Sequence, residues 1–90
     1  MKVVVVNVIK FAICDDEPLM GQELASHLAS YMEEHPATAY SVSCFSSGRT
    51  LLEGGGGFDV IFLDIQMEPP DGMETARLLR HQGDHSLLVF

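Results

Sequence analysis

The 90-residue sequence predicts an α/β fold, an open parallel sheet with flanking helices, and three observations carry that reading. Short runs rich in β-branched and aromatic residues alternate with stretches of helical periodicity, giving the order βαβαβαβ. The run Phe11-Ala-Ile-Cys14 is apolar at successive positions, the pattern of a strand covered on both faces by helices. Two of the apolar runs end on carboxylates, the first on Asp15-Asp16 and the second, Phe58-Asp-Val-Ile-Phe-Leu, on Asp64. In a parallel sheet both ends fall on one edge.

The first strand is predicted within residues 3–14, with residues 10–14 sufficient for the core strand. Residues 1–9 form a Val-rich segment that either prolongs this strand, pairs elsewhere or extends upstream; residues 10–90 form the domain proper. Glu17-Pro18 opens the first helix, because a proline at the first helical position has no N–H to leave unpaired. Met20, Leu24, Leu28 and Tyr31 make its predicted apolar stripe, and His35-Pro36 ends it. Residues 40–45 alternate and predict a second strand, residues 47–53 a short helix anchored by Leu51-Leu52, and residues 54–57 a glycine linker. Residues 58–63 give the strongest strand signal. Residues 67–71 predict a loop, and Asp71 with Glu74 three positions on predicts an acidic capping box for a helix running to about His81. Residues 87–90 begin a fourth strand.

Composition narrows the function. The length fits one domain, and 47% apolar with 20% charged residues fits a globular chain. A formal net charge of −8 opposes nucleic-acid binding by this segment, since phosphate contacts need a Lys/Arg surface. It suits a domain that holds a cation or meets a basic partner. Cys14 and Cys44 both sit in apolar runs outside any CxxC pattern, so reduced, buried thiols and a cytoplasmic location are expected. The apolar N-terminus is too short for a membrane span and lacks a small-residue cleavage pattern.

The chemistry concentrates at the shared edge. Ligand sites in open α/β sheets form beyond the carboxyl ends of the strands. There Asp15, Asp16 and Asp64 converge, and such a cluster is costly unless a cation or protons occupy it. Carboxylates in a compact oxygen-rich site suit Mg²⁺, and a carboxylate is also a competent nucleophile toward phosphorus. The loop after Asp64, Ile65-Gln-Met-Glu-Pro-Pro-Asp-Gly72, can fold back and offer a backbone carbonyl.

Three motifs now coincide: Cys14-Asp-Asp-Glu-Pro18, Phe62-Leu-Asp-Ile-Gln-Met67 and Asp71-Gly-Met-Glu-Thr-Ala-Arg77. Their order and placement resemble the receiver domain of two-component response regulators, a flavodoxin-like fold, and their wording is similar to regulators with a LytTR-type DNA-binding output. The resemblance covers residues 10–90. It implies that Asp64 accepts a phosphoryl group from a sensor histidine kinase. It implies that Asp15 and Asp16 hold Mg²⁺ as cofactor, together with Asp64 and the backbone carbonyl of Gln66. The protein would then act in phosphorelay signal transduction and transcription regulation, as a phosphoprotein and not as an enzyme.

The sequence departs from the family pattern at Glu68-Pro69-Pro70, where many receivers carry a proline directly after the methionine. The family also continues beyond its fourth strand with a helix, a strand and a helix, and carries a switch Ser/Thr and a Lys that these residues do not supply. The expectation is a receiver lacking that last portion. Lys10 cannot replace the Lys, because it sits at the start of its strand. Exposed strand edges then predict a homodimer, with residues 3–8 offering extra pairing.

Two other functions are weighed. A Mg²⁺-dependent phosphatase with an aspartyl nucleophile, of the haloacid-dehalogenase-like kind, would need an acidic residue where Gln66 stands, because an amide cannot shuttle a proton. A non-signalling interaction fragment would bind partners without accepting phosphate. Asp71 reads as a helix cap, Glu17 as a charge at a helix start, and His81 with His85 as a solvated pair interrupted by Gly83.

Overall fold

The computed structural model describes residues 7–90. The predicted α/β order is present: β1 (Val8–Cys14), α1 (Pro18–Glu33), β2 (Ala39–Phe45), α2 (Gly48–Glu53), β3 (Val60–Leu63), α3 (Gly72–His81) and β4 (Leu87–Val89). The predicted role of residues 3–8 in pairing lies outside the described residues except at Asn7 and Val8, and Val8 is the first residue of β1.

All three strand pairings are parallel, and the sheet order is β2-β1-β3-β4. The chain runs from β1 outward to β2, then crosses back over β1 to β3. Strand order reverses at β1, so the crevice beyond its carboxyl end is the place for a ligand. Cys14 is in register with both Phe45 and Leu63. The residues that follow Cys14 and Leu63 are Asp15 and Asp64, so register alone sets the two carboxylates side by side.

The alternating faces of β1 explain its continuous apolar run. Ala12 and Cys14 join Ile61, Leu63, Leu51, Ala76 and Leu79 in the core beneath α2 and α3. Phe11 and Ile13 point the other way and are buried too. There Phe11 stacks on Phe62 with ring centroids 6.3 Å apart and meets Tyr40 edge-on at 6.4 Å.

The structure corrects the predicted stripe of α1. Its buried residues are Gly21 and Met32, whereas Met20 and Tyr31 are 50% and 58% exposed. The helix approaches β1 through Gly21, where a Cβ would lie 3.9 Å from Ile13 Cγ2. Leu24 and Leu28 remain half-buried at the margin of that contact. Cys44 is also corrected: it is exposed, because alternation along the edge strand β2 turns it away from the core, while Cys14 is buried as expected.

The helix starts follow local chemistry. Pro18 is at the first turn of α1 and Glu17 at its N-cap. Ser47 and Thr50 cap α2 reciprocally, each side chain meeting the other residue's backbone N–H at 3.1 and 3.3 Å. At α3 only half of the expected box forms. Asp71 Oδ1 accepts the Glu74 N–H at 2.9 Å, but the Glu74 carboxylate turns to Arg77, whose Nη2 donates at 2.6 Å. That partner holds the Glu74 carboxyl below its usual range.

Candidate functional site

Asp15, Asp16 and Asp64 meet at the carboxyl edge of the sheet. Each brings a carboxylate oxygen to within 4.8 Å of the other two; Asp15 and Asp64 are half-buried and Asp16 is exposed. The strand ends are tied together at this edge: Asp64 N–H donates to the Cys14 carbonyl at 3.0 Å and Asp15 N–H to the Phe45 carbonyl at 3.1 Å. The cluster is thus positioned by the sheet itself.

Each carboxylate accepts one backbone N–H. Glu17 N–H donates to Asp15 Oδ1 at 2.9 Å and Gln66 N–H to Asp64 Oδ1 at 3.2 Å, both local contacts two residues ahead. Glu68 N–H donates to Asp16 Oδ2 at 3.4 Å, across from the other loop. Gln66 itself is exposed on the loop between β3 and α3 and meets the cluster through this N–H.

No cationic side chain among the described residues is paired with the three aspartates. Among the described residues the ion pairs are His27–Glu23, Arg49–Glu53, Arg77–Glu74 and Arg80–Asp84, and none of them reaches the three aspartates. Lys10 is exposed in the first half of β1, with its N–H on Asp59 Oδ2, far from the carboxyl edge. The negative field is felt by Cys14, directly beneath. Its thiol is pushed up to about 11, first by burial and then by Asp15, Asp64 and Asp16. Sγ donates to the Ser47 carbonyl at 3.3 Å and lies 3.9 Å from Met67 Sδ, so it is a packed thiol of the site floor.

The donor set fits Mg²⁺. Ligands about 2.1 Å from an octahedral ion stand at most roughly 4.2 Å apart, so small side-chain adjustments close the carboxylates around one cation. An opening of about 300 Å³ lined by Ile13, Leu24, Phe62, Val89 and Phe90 reaches Asp15 and Asp64 from the α1 side. Asp71 is the cap of α3 and Glu17 precedes α1, as read from the sequence; His81 and His85 are both exposed.

The loop that carries the site is held by contacts the sequence reading missed. Gly72 N–H donates to the Ile65 carbonyl at 2.9 Å. Thr75, fully buried, donates its hydroxyl to the Pro70 carbonyl at 3.3 Å. The only sequence signal for either is a glycine and a threonine just after the loop, too common to single out.

Comparison with known proteins gives a consistent picture. An uncharacterised response regulatory protein of Vibrio cholerae is 39% identical over 80 residues, 87% of the chain and 29% of that protein. The chemotaxis protein CheY4 of Vibrio cholerae superposes with a TM-score of 0.71 at 25% identity, over 86% of the chain and 60% of that structure. The N-terminal domain of a response regulator/sensory box/GGDEF protein from Carboxydothermus hydrogenoformans superposes with a TM-score of 0.72 at 29% identity, over 90% of the chain and 62% of that structure. The chain spans less than a third of the length of the curated relative it matches. No family model matches it.

Proposed function

The chain belongs to the receiver domains of response regulators, and from that premise we propose that Asp64 accepts a phosphoryl group from the phosphohistidine of a sensor histidine kinase. One observation carries the reading: three carboxylates meet at the topological switch point, and among the described residues none of them is paired with a cationic side chain. The relatives do not favour the phosphatase alternative.

In the proposed step an Asp64 carboxylate oxygen attacks phosphorus. The P–N bond to the donor imidazole breaks, and its electron pair returns to the ring nitrogen, which takes a proton from solvent. Gln66 N–H holds Oδ1, which fixes the carboxylate's rotation and leaves Oδ2 to attack. Asp15 and Asp16 would hold Mg²⁺, with Asp64 and the Gln66 backbone carbonyl completing the protein ligands. The bound ion supplies charge neutralisation for the phosphoryl oxygens and for the carboxylates that face them. Everything else the chain contributes is position.

A cytoplasmic location belongs to the proposal and is supported by Cys14 and Cys44, both free thiols; no described helix is long and apolar enough to cross a membrane. The motif wording supports a LytTR-type output and transcription regulation in the whole protein. The exposed side chains of Leu87 and Phe90, on and beside an outer strand, support self-association, and the charge of −8 supports the absence of direct nucleic-acid binding.

The test is incubation with a small acyl-phosphate donor and Mg²⁺, followed by intact-mass measurement. The expected result is one added phosphoryl group that is absent without Mg²⁺ and absent in Asp64→Ala. An adduct that survives in Asp64→Ala, or no adduct on the wild-type protein, overturns the assignment.

A further inference from the structure

The three site carboxylates are not held alike. Asp15 and Asp64 take their N–H from Glu17 and Gln66, two residues along the same turn. Such local contacts form wherever an aspartate begins a turn. Asp16 has no such neighbour. Its hydrogen bond comes from Glu68, 52 residues away, at 3.4 Å. Among the described residues this is the one side-chain hydrogen bond that joins the loop after β1 to the loop after β3.

We infer that Glu68 is a positioning residue of the acidic site, acting through its main-chain N–H and not through its carboxylate; the inference rests on the Mg²⁺ reading of that site. Asp16 is the exposed member of the trio, and among the described residues the Glu68 N–H is the hydrogen-bond donor that orders its carboxylate. The N–H is directed there by the loop on both sides. Gly72 N–H pins Ile65 before it, and Thr75 pins the Pro70 carbonyl after it. Pro69 and Pro70 have no N–H to offer, so position 68 is the last donor before the helix cap at Asp71. Any residue except proline can serve there. Placed this way, Asp16 reaches the cluster with its rotation already restricted, and part of the ordering cost of metal binding is met before the ion arrives.

The variants separate the N–H from the charge. Glu68→Ala keeps the donor and removes the carboxylate; Glu68→Pro removes both. Calorimetric Mg²⁺ titration is expected to give Glu68→Ala an affinity within about twofold of wild type, and Glu68→Pro an affinity about three- to tenfold weaker, the size of one hydrogen bond. In an Asp16→Ala background Glu68→Pro is expected to cost nothing further. Equal affinities for the Ala and Pro variants, with wild type still binding Mg²⁺, overturn the inference while leaving the proposed function intact.

A second measurement does not depend on the metal or on the Pro variant folding. Amide hydrogen exchange of the Mg²⁺-free protein is expected to show the Glu68 N–H protected in wild type and unprotected in Asp16→Ala, with the Gln66 N–H unchanged. A Glu68 amide indifferent to Asp16→Ala overturns the inference. Absence of Mg²⁺ binding by wild type counts against the proposed function, and the exchange result then decides the Glu68–Asp16 contact by itself.

Discussion

Gly72 is packed against the backbone of Asp64. A Cβ at position 72 would overlap the Asp64 carbonyl oxygen and approach Ile65 Cα to 2.7 Å. Both neighbours are main chain, so neither can swing aside. The residue that starts α3 therefore sets how closely that helix sits against the end of β3, and the helix in turn fixes the loop between them.

Gly72→Ala is accordingly expected to destabilise the fold by about 1–3 kcal/mol, the usual cost of forced overpacking. If Asp64 is the acceptor as proposed, the variant is also expected to slow phosphoryl transfer more than a distant substitution of equal ΔΔG, because the shift falls on the Asp64 peptide itself. Urea unfolding gives the first quantity and the rate of mass gain with an acyl-phosphate donor the second. A variant as stable as wild type would show that the loop yields where the backbone contacts say it cannot.

Asp71 separates a cap from a ligand. Its carboxylate accepts the Glu74 N–H at the start of α3 and is not one of the three clustered aspartates. Asp71→Ala is expected to lower stability by about 0.5–2 kcal/mol and to leave Mg²⁺ affinity within about twofold of wild type. Asp71→Ser, which restores an acceptor, is expected to recover most of the loss. Thermal melts and Mg²⁺ titration of the two variants check this together.

The two thiols should behave differently. Cys44 is exposed on β2 and Cys14 is buried under the acidic cluster, with its thiol pushed up to about 11 from an ordinary value of 9.0. A thiol whose pKa is raised on folding favours the folded state while protonated. That stabilisation is complete below about pH 9 and is lost as pH rises from 9 to 11. Iodoacetamide at neutral pH is expected to modify Cys44 alone in the folded protein and both cysteines in urea. Cys14→Ala is expected to flatten the alkaline arm of the stability profile between those limits.

The parts legible in the sequence were those decided locally. The apolar run ending at Cys14 needs no partner to announce a doubly covered strand, and parallel register then places Asp15 beside Asp64. The stripe of α1 was misread because hydrophobic periodicity counts large side chains. The helix instead packs through Gly21 against Ile13, which rotates Met20 and Tyr31 outward. Burial of Cys44 was misread because an apolar neighbourhood in sequence says nothing of which face an edge strand turns to solvent. The Glu68–Asp16 contact joins positions 52 residues apart and follows from loop placement, which leaves no local pattern. The sequence places the three carboxylates on one edge; the route by which main-chain groups restrain them depends on loop paths that no local pattern encodes.

The final prediction concerns the conflict built into the site. Asp15, Asp16 and Asp64 face one another with no ion pair to any of them among the described residues, so their mutual repulsion is a cost to the Mg²⁺-free fold that a bound ion would remove. Asp15→Asn and Asp64→Asn each keep an oxygen to accept the N–H of Glu17 or Gln66 while deleting one charge. In Mg²⁺-free buffer both variants are expected to be more stable than wild type by about 1 kcal/mol, the scale of one close like-charge contact in a partly solvated site. Mg²⁺ reverses the order. At a hundredfold excess over its Kd it stabilises wild type by about 2.7 kcal/mol, which for a chain of this size is a rise of roughly 4–8 °C per kcal/mol in Tm. The variants gain little. Melting curves of the three proteins with and without Mg²⁺ would therefore cross, and parallel curves would mean that the three carboxylates neither strain the fold nor share an ion.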